Sequence, residues 1–249
     1  MLYGNALRQS KVSIPEHHLE NHNLHRAFRQ AYQNVTHSYP CFGHKDDLAS
    51  RQWWELVFRQ TLDFAHIRMS SGEFQLVFDQ VFKVFGSKAA YDAFPDVIPF
   101  VEWARKSPRF LKVGVLSNAT ERYRNEILPM LGLDCVLDEF CFLSQETGKS
   151  KPDLAAFQQV LNLNSDWEPD QILHIGDNLQ KDYQGARLAG IHALLLDRFD
   201  NDQLDVSPID ADAVVDDFNQ VRSYLLEHQL VPDDNTDQSD EEMWPSSPR

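Results

Sequence analysis

Asp177 and Asp182 follow Gly176 at the end of the short apolar run from Ile172 to Ile175. Two carboxylates this close repel each other unless a cation sits between them. All-oxygen ligation of that kind suits Mg²⁺, which takes one or two protein carboxylates and completes its shell with phosphate and water. A Gly-Asp turn followed by a capping Asp accounts for the same residues with no ligand. Two other polar groups stand in comparable places. Ser117-Asn118 closes the apolar run from Phe110 to Leu116, and Lys151 lies in the loop from Gly148 to Asp153. A hydroxyl and a backbone amide can bind a phosphoryl oxygen, a lysine can neutralise developing negative charge, and aspartates can hold the metal. Taken singly, Ser117-Asn118 could be a helix cap and Lys151 a solvated lysine. Their common position after strand-like runs is what joins them into one candidate site.

Strands and helices must alternate to bring such groups to one edge. The runs 110–118, 140–143, 172–175 and 191–196 have the composition of strands buried on both faces. Between them, helical spacing predicts helices opening at Pro95–Pro99, over Thr120–Leu131 up to Gly132, and after Pro152, which suits a first helical turn. Near Asp182, Tyr183, Ala186, Leu188 and Ala189 form the apolar side of another, and Phe218–Leu226 a last one. This alternation specifies an α/β fold with a right-handed, doubly wound, parallel sheet. Upstream, from about Ser13 to Tyr91, the pattern is helical throughout, with Pro15 at a first turn and apolar stripes through Leu19, Leu24, Phe28 and Tyr32, Trp53 to Phe58, and Phe74 to Phe85. Helices of this kind make a small bundle. His18, His22 and His25 share one face of the first, and a solvated polar face explains them better than a metal site.

The 249 residues, 42% hydrophobic and 24% charged, have the composition of a soluble globular protein. No apolar run nears the roughly 18 residues that would cross a bilayer, and the first residues lack a secretory pattern. Net charge of −15 argues against nucleic-acid binding. Three unpaired-looking cysteines (Cys41, Cys135 and Cys141) suggest buried thiols in a reducing compartment, hence an intracellular protein, cytoplasmic or nuclear. The tail 231–249 is acidic and rich in Pro and Ser and reads as disordered, with Trp244 as a docking point or a solvated residue.

The motifs Val113–Ser117, Lys151-Pro152-Asp153 and Gly176-Asp177 with Asp182 occur in an order that resembles the haloacid dehalogenase superfamily of phosphohydrolases. Phe28–Tyr32 and Ser50–Trp54 are similar to a subgroup, the haloacid dehalogenase-like hydrolase domain-containing proteins, related to a rhythmically expressed insect protein. The resemblance implies a Rossmann-like core over 93–230 and a helical cap over 1–92. It implies a Mg²⁺-dependent phosphatase acting on a small phosphorylated metabolite. Ser117 and Asn118 would hold the phosphoryl group, Lys151 would stabilise the charged intermediate, and Asp177 would bind the metal. Asp182 would bind it through water or orient Lys151.

Family members begin with a strand ending in Asp-x-Asp, whose first Asp attacks phosphorus. Here no Asp precedes Asp46, and residues 1–12 hold no apolar run ending in a carboxylate. The first central strand is therefore expected to be missing, leaving two inner sheet edges. Each unpaired buried backbone group would cost about 1–3 kcal/mol, so a truncated isoform or incomplete gene model is the expectation, inactive as written. The alternative is a non-catalytic protein-binding scaffold.

Overall fold

The computed structural model describes residues 21–110, 112–199, 209 and 211–228. The expectations for Pro15, Leu19, His18 and the acidic tail fall outside the described residues.

The amino-terminal part is helical. Helix α1 spans Asn21–Ser38, α2 Ser50–Phe64 and α3 Ser71–Val84. Residues three and four apart fall on one face of a helix, and that face of α3 buries Phe74, Val77, Phe78 and Val81 against Phe58 and Leu62 of α2. Helix α3 starts at a capping box. Ser70 Oγ accepts from the Glu73 amide while the Glu73 carboxylate accepts from the Ser70 amide, closing two orphan groups. A second apolar cluster joins Ala31 and Val35 of α1 to Trp53 and Val57 of α2, and the Trp53 indole donates to Tyr39 O at 3.0 Å. His22 and His25 are exposed, as a solvated face requires.

The remainder alternates strands with helices: α4 Val97–Lys106, β1 Val115–Ser117, β2 Cys141–Leu143, α5 Leu154–Leu161, β3 Leu173–Gly176, β4 His192–Leu196, β5 Val214–Val215 and α6 Phe218–Glu227. All strand pairs are parallel. The described strands form two blocks, β1-β2 and β3-β4-β5. In register, Leu116 faces Phe142, Ile175 faces Leu194, and Leu195 faces Val214. In β4, Ala193, Leu194 and Leu195 are buried, whereas every residue of β1 and β3 is half-buried. Among the described residues no strand joins β1 to β3.

Several local expectations change. Among the described residues of the apolar run 110–118, the strand is Val115–Ser117, the stretch that β2 pairs with. A strand is defined by a partner's hydrogen bonds, which composition does not supply. The segment after Thr120 is a π-type turn, Tyr123–Ile127, running into Leu128–Met130, and a similar turn covers Leu179–Gln184. Pro152 is not in a first helical turn. It lies before α5, whose N-cap is Asp153, and the Lys151–Pro152 peptide is cis. Leu188 points to solvent while Ala186 is buried, because residues two apart fall on different sides of a helix. A fifth strand, Val214–Val215, follows the one expected to be last. Of the cysteines, Cys141 is buried and Cys41 and Cys135 are half-buried; all three are free thiols.

Two contacts tie the helical part to the strands. His44 Nδ1 donates to Gln145 O at 2.7 Å, and Gln145 Nε2 donates to Leu48 O at 3.0 Å. Asp96, at the start of α4, accepts both guanidinium nitrogens of Arg198 and the Phe218 amide, fixing α4 and α6 against the end of β4. No helix of the described residues is long and apolar enough to cross a membrane.

Candidate functional site

The site begins with Lys151. Its backbone is held by Asn118: Lys151 N donates to Asn118 Oδ1, and Asn118 Nδ2 donates to Lys151 O, each at 2.8 Å. The side chain of Asn118 is thus spent on positioning the lysine loop and not on capping a helix. From this anchor the Lys151 ammonium donates to Leu116 O at 2.8 Å, on the strand that ends at Ser117. It also pairs with Asp182 Oδ1 at 2.6 Å. The two side chains are 11% and 7% exposed, so the pair is nearly dry and its attraction is weakly screened.

Asp182 is bound on every side. Its Oδ1 also accepts from His174 Nε2 at 3.0 Å, and its Oδ2 accepts from the Asn178 amide at 3.0 Å. This crowding explains Gly176. A Cβ there would fall 2.3 Å from Asp182 Cγ, so only glycine lets β3 pass beneath the carboxylate. Burial would raise the Asp182 pKa, but the His174 hydrogen bond and the Lys151 charge outweigh it and hold the carboxyl far below the usual range. Burial is the chief influence on His174 and pushes its pKa down. Asp182 pulls the other way and loses, leaving a neutral ring that carries its proton on Nε2 toward the carboxylate.

Ser117 is half-buried at the end of β1, and Asp177 is exposed at the end of β3. The structure therefore brings Asn118, Lys151 and Asp182 into direct contact and sets Ser117 and Asp177 at the two strand ends that Lys151 and Asp182 link. Among the described residues no group of three or more His, Cys, Asp or Glu is gathered as metal ligands would be. Asp182 has both oxygens committed to protein donors, so the open carboxylate is Asp177. A single carboxylate fits Mg²⁺ when phosphate and water complete the shell. Sequence reasoning gave His174 no role. The signal was a titratable ring inside an apolar strand, where a buried polar group needs a partner.

Beside Asn118, a cavity of about 610 Å³ opens between the helices and the turn after β1. Phe28, Tyr32, Trp54, Phe82 and Tyr123 line it, with Arg122 in its wall. The Tyr123 hydroxyl is driven strongly upward in pKa, first by burial and then by the neighbouring Tyr91, so it stays neutral.

Parallel strands alternating with helices, with a buried lysine where two strands end, make a Rossmann-like α/β fold. The chain belongs to the haloacid dehalogenase-like hydrolase family, whose profile matches residues 3–190. It is 35% identical over 173 residues to haloacid dehalogenase-like hydrolase domain-containing protein 3 of Bos taurus, covering 70% of this chain and 66% of that protein. The Homo sapiens protein of the same name gives the same identity and coverage. This chain thus spans just under two thirds of the length of these relatives. In fold it is similar to the HAD-hydrolase YfnB of Bacillus subtilis, a structure bound to magnesium, with a TM-score of 0.59, 14% identity, and coverage of 90% of this chain and 91% of that one. These matches bear out the superfamily and subgroup resemblance read from the motifs.

Proposed function

We propose that this chain carries the phosphoryl-binding site of a Mg²⁺-dependent phosphatase of its family, acting on a small phosphorylated metabolite. The observation that supports this reading is the Lys151 ammonium, almost dry, fixed between Leu116 O and Asp182 Oδ1 where two strands end. A buried, oriented cation at that edge suits a phosphoryl group. The Ser117 hydroxyl and the Asn118 backbone amide would donate to phosphoryl oxygens, and Lys151 would offset charge as it grows on them. Asp182 keeps the lysine charged and aimed; His174 and the Asn178 amide keep Asp182 in place. Asp177 would hold Mg²⁺, which when bound supplies Lewis-acid polarisation of a phosphoryl oxygen. Residues 1–92 would act as a cap over the core 93–230 and admit the substrate.

Among the described residues Asp182 is the only carboxylate within ion-pair distance of Lys151, and its oxygens are all engaged. A carboxylate so held is a poor nucleophile. This supports the expectation of phosphate binding without turnover in this chain, and with it the second reading, a non-catalytic protein-binding member. The test is a pair of assays on the full chain. Titration calorimetry with inorganic phosphate and Mg²⁺ should show binding that Lys151→Met removes; no binding defeats the reading. A chromogenic phosphoester should release no phosphate; release abolished by Asp177→Asn would show a working phosphatase and dismiss the non-catalytic one.

A further inference from the structure

Arg122 is a buried cation in the wall of the aromatic cavity, 7% exposed. Its Nε and Nη2 both donate to Glu126 Oε2, at 3.1 and 2.6 Å, and its guanidinium carbon lies 3.8 Å from the Phe82 ring centre. Those two bonds use two of the five N–H donors of the guanidinium. The pair is electrically lopsided. The Arg122 side chain is 9% exposed and the Glu126 side chain 44%, so solvent screens the carboxylate far more than the guanidinium. Glu126 is also absent from the cavity lining, whereas Arg122 belongs to it. The cavity therefore sees positive charge on one wall and aromatic surface over most of the rest. Asn118, Ala119 and Thr120, the residues that directly follow Ser117, also line it.

Aromatic rings bind flat apolar groups by offset and edge contacts, and a guanidinium with free N–H groups binds carboxylate or phosphate. We propose that this cavity takes a ligand with a flat, ring-bearing apolar body and one anionic group of its own, which Arg122 reads. On the proposed function above, that ligand is the non-phosphoryl part of a phosphoester whose phosphoryl group sits at Ser117 and Lys151. Arg122 is then a specificity-determining residue that selects acidic aromatic phosphoesters against neutral or sugar-like ones.

The experiment is titration calorimetry on the full chain with 2-naphthoate and with its neutral isostere 2-naphthamide, neither carrying a phosphoryl group. The carboxylate should bind at least tenfold more tightly than the amide, and 0.5 M NaCl should shrink that preference. Arg122→Met should bind both probes equally, with Arg122→Lys in between; circular dichroism reports whether each variant is folded. Failure of naphthoate to bind the unmodified chain, equal binding of the two probes, or a preference kept by Arg122→Met overturns the proposal. The comparison on the unmodified chain decides the matter should Arg122→Met not fold. Inorganic phosphate, titrated separately, tests the strand-end site. Loss of phosphate binding with naphthoate binding intact refutes the phosphatase reading and leaves this one standing.

Discussion

Asn118 and Lys151, 33 positions apart in sequence, exchange two hydrogen bonds of 2.8 Å through the amide of one and the backbone of the other. The side chain imitates a strand neighbour for a loop that has none. It therefore fixes where the ammonium of Lys151 can reach. Asn118→Leu should leave the Lys151 N–H and C=O unpaired in a half-buried place and destabilise the fold by about 1–3 kcal/mol. Urea unfolding would measure this, and an unchanged midpoint would refute the clamp.

Lys151→Met leaves Asp182 charged, buried and short of its cation. Breaking a buried pair from one side costs about 3–5 kcal/mol. Adding Asp182→Asn should recover part of that loss, because the orphaned charge goes with it. A double-mutant cycle with no coupling between the two positions would contradict the ion pair.

Acid should weaken the fold in two stages. His174 and Asp182 both have folded pKa values below their unfolded ones. Each contributes stability that is complete above its unfolded value and lost as pH falls toward its folded one. The His174 share should decline as pH drops below about 6.5, and the Asp182 share below about 3.9. Thermal unfolding of the full chain against pH should show the first decline, and His174→Gln should remove it.

Gly176→Ala tests the close approach of β3 to Asp182. The new methyl would meet carboxylate atoms that two hydrogen-bond donors and an ion pair hold still. Overpacking of this kind costs about 1–3 kcal/mol. Phosphate binding should fall as well, since relief of the clash moves Asp182 away from Lys151. A variant with both properties intact would show that the carboxylate is free to shift.

Much of this architecture was legible in residue order. The spacing of Phe74, Val77, Phe78 and Val81 marked one helical face, and those four are buried. The apolar runs ending at Ser117 and Gly176 gave the parallel strands. What escaped depends on partners distant in the chain. Lys112 to Gly114 looked like strand but lack the pairing that β2 gives Val115–Ser117. Val214–Val215 is too short to show a pattern and exists because β4 lies beside it. The site was half legible. Lys151 and Asp182 could be nominated by type, but an acid that ligates a metal and one that serves as a counter-ion have the same letters. The 2.6 Å contact and the donors on both oxygens are what a counter-ion would have, and composition gives no hint of them.

The division of the strands into two blocks has a mechanical consequence. One block ends at Ser117 and the other at Asp177, and the Lys151–Asp182 pair is a rivet across the seam. An oxyanion gripped from both rims would stitch the halves together, so its affinity would be repaid as cohesion of the whole molecule. Saturating phosphate should then slow amide exchange along the facing margins of both blocks, far beyond the few groups that touch it.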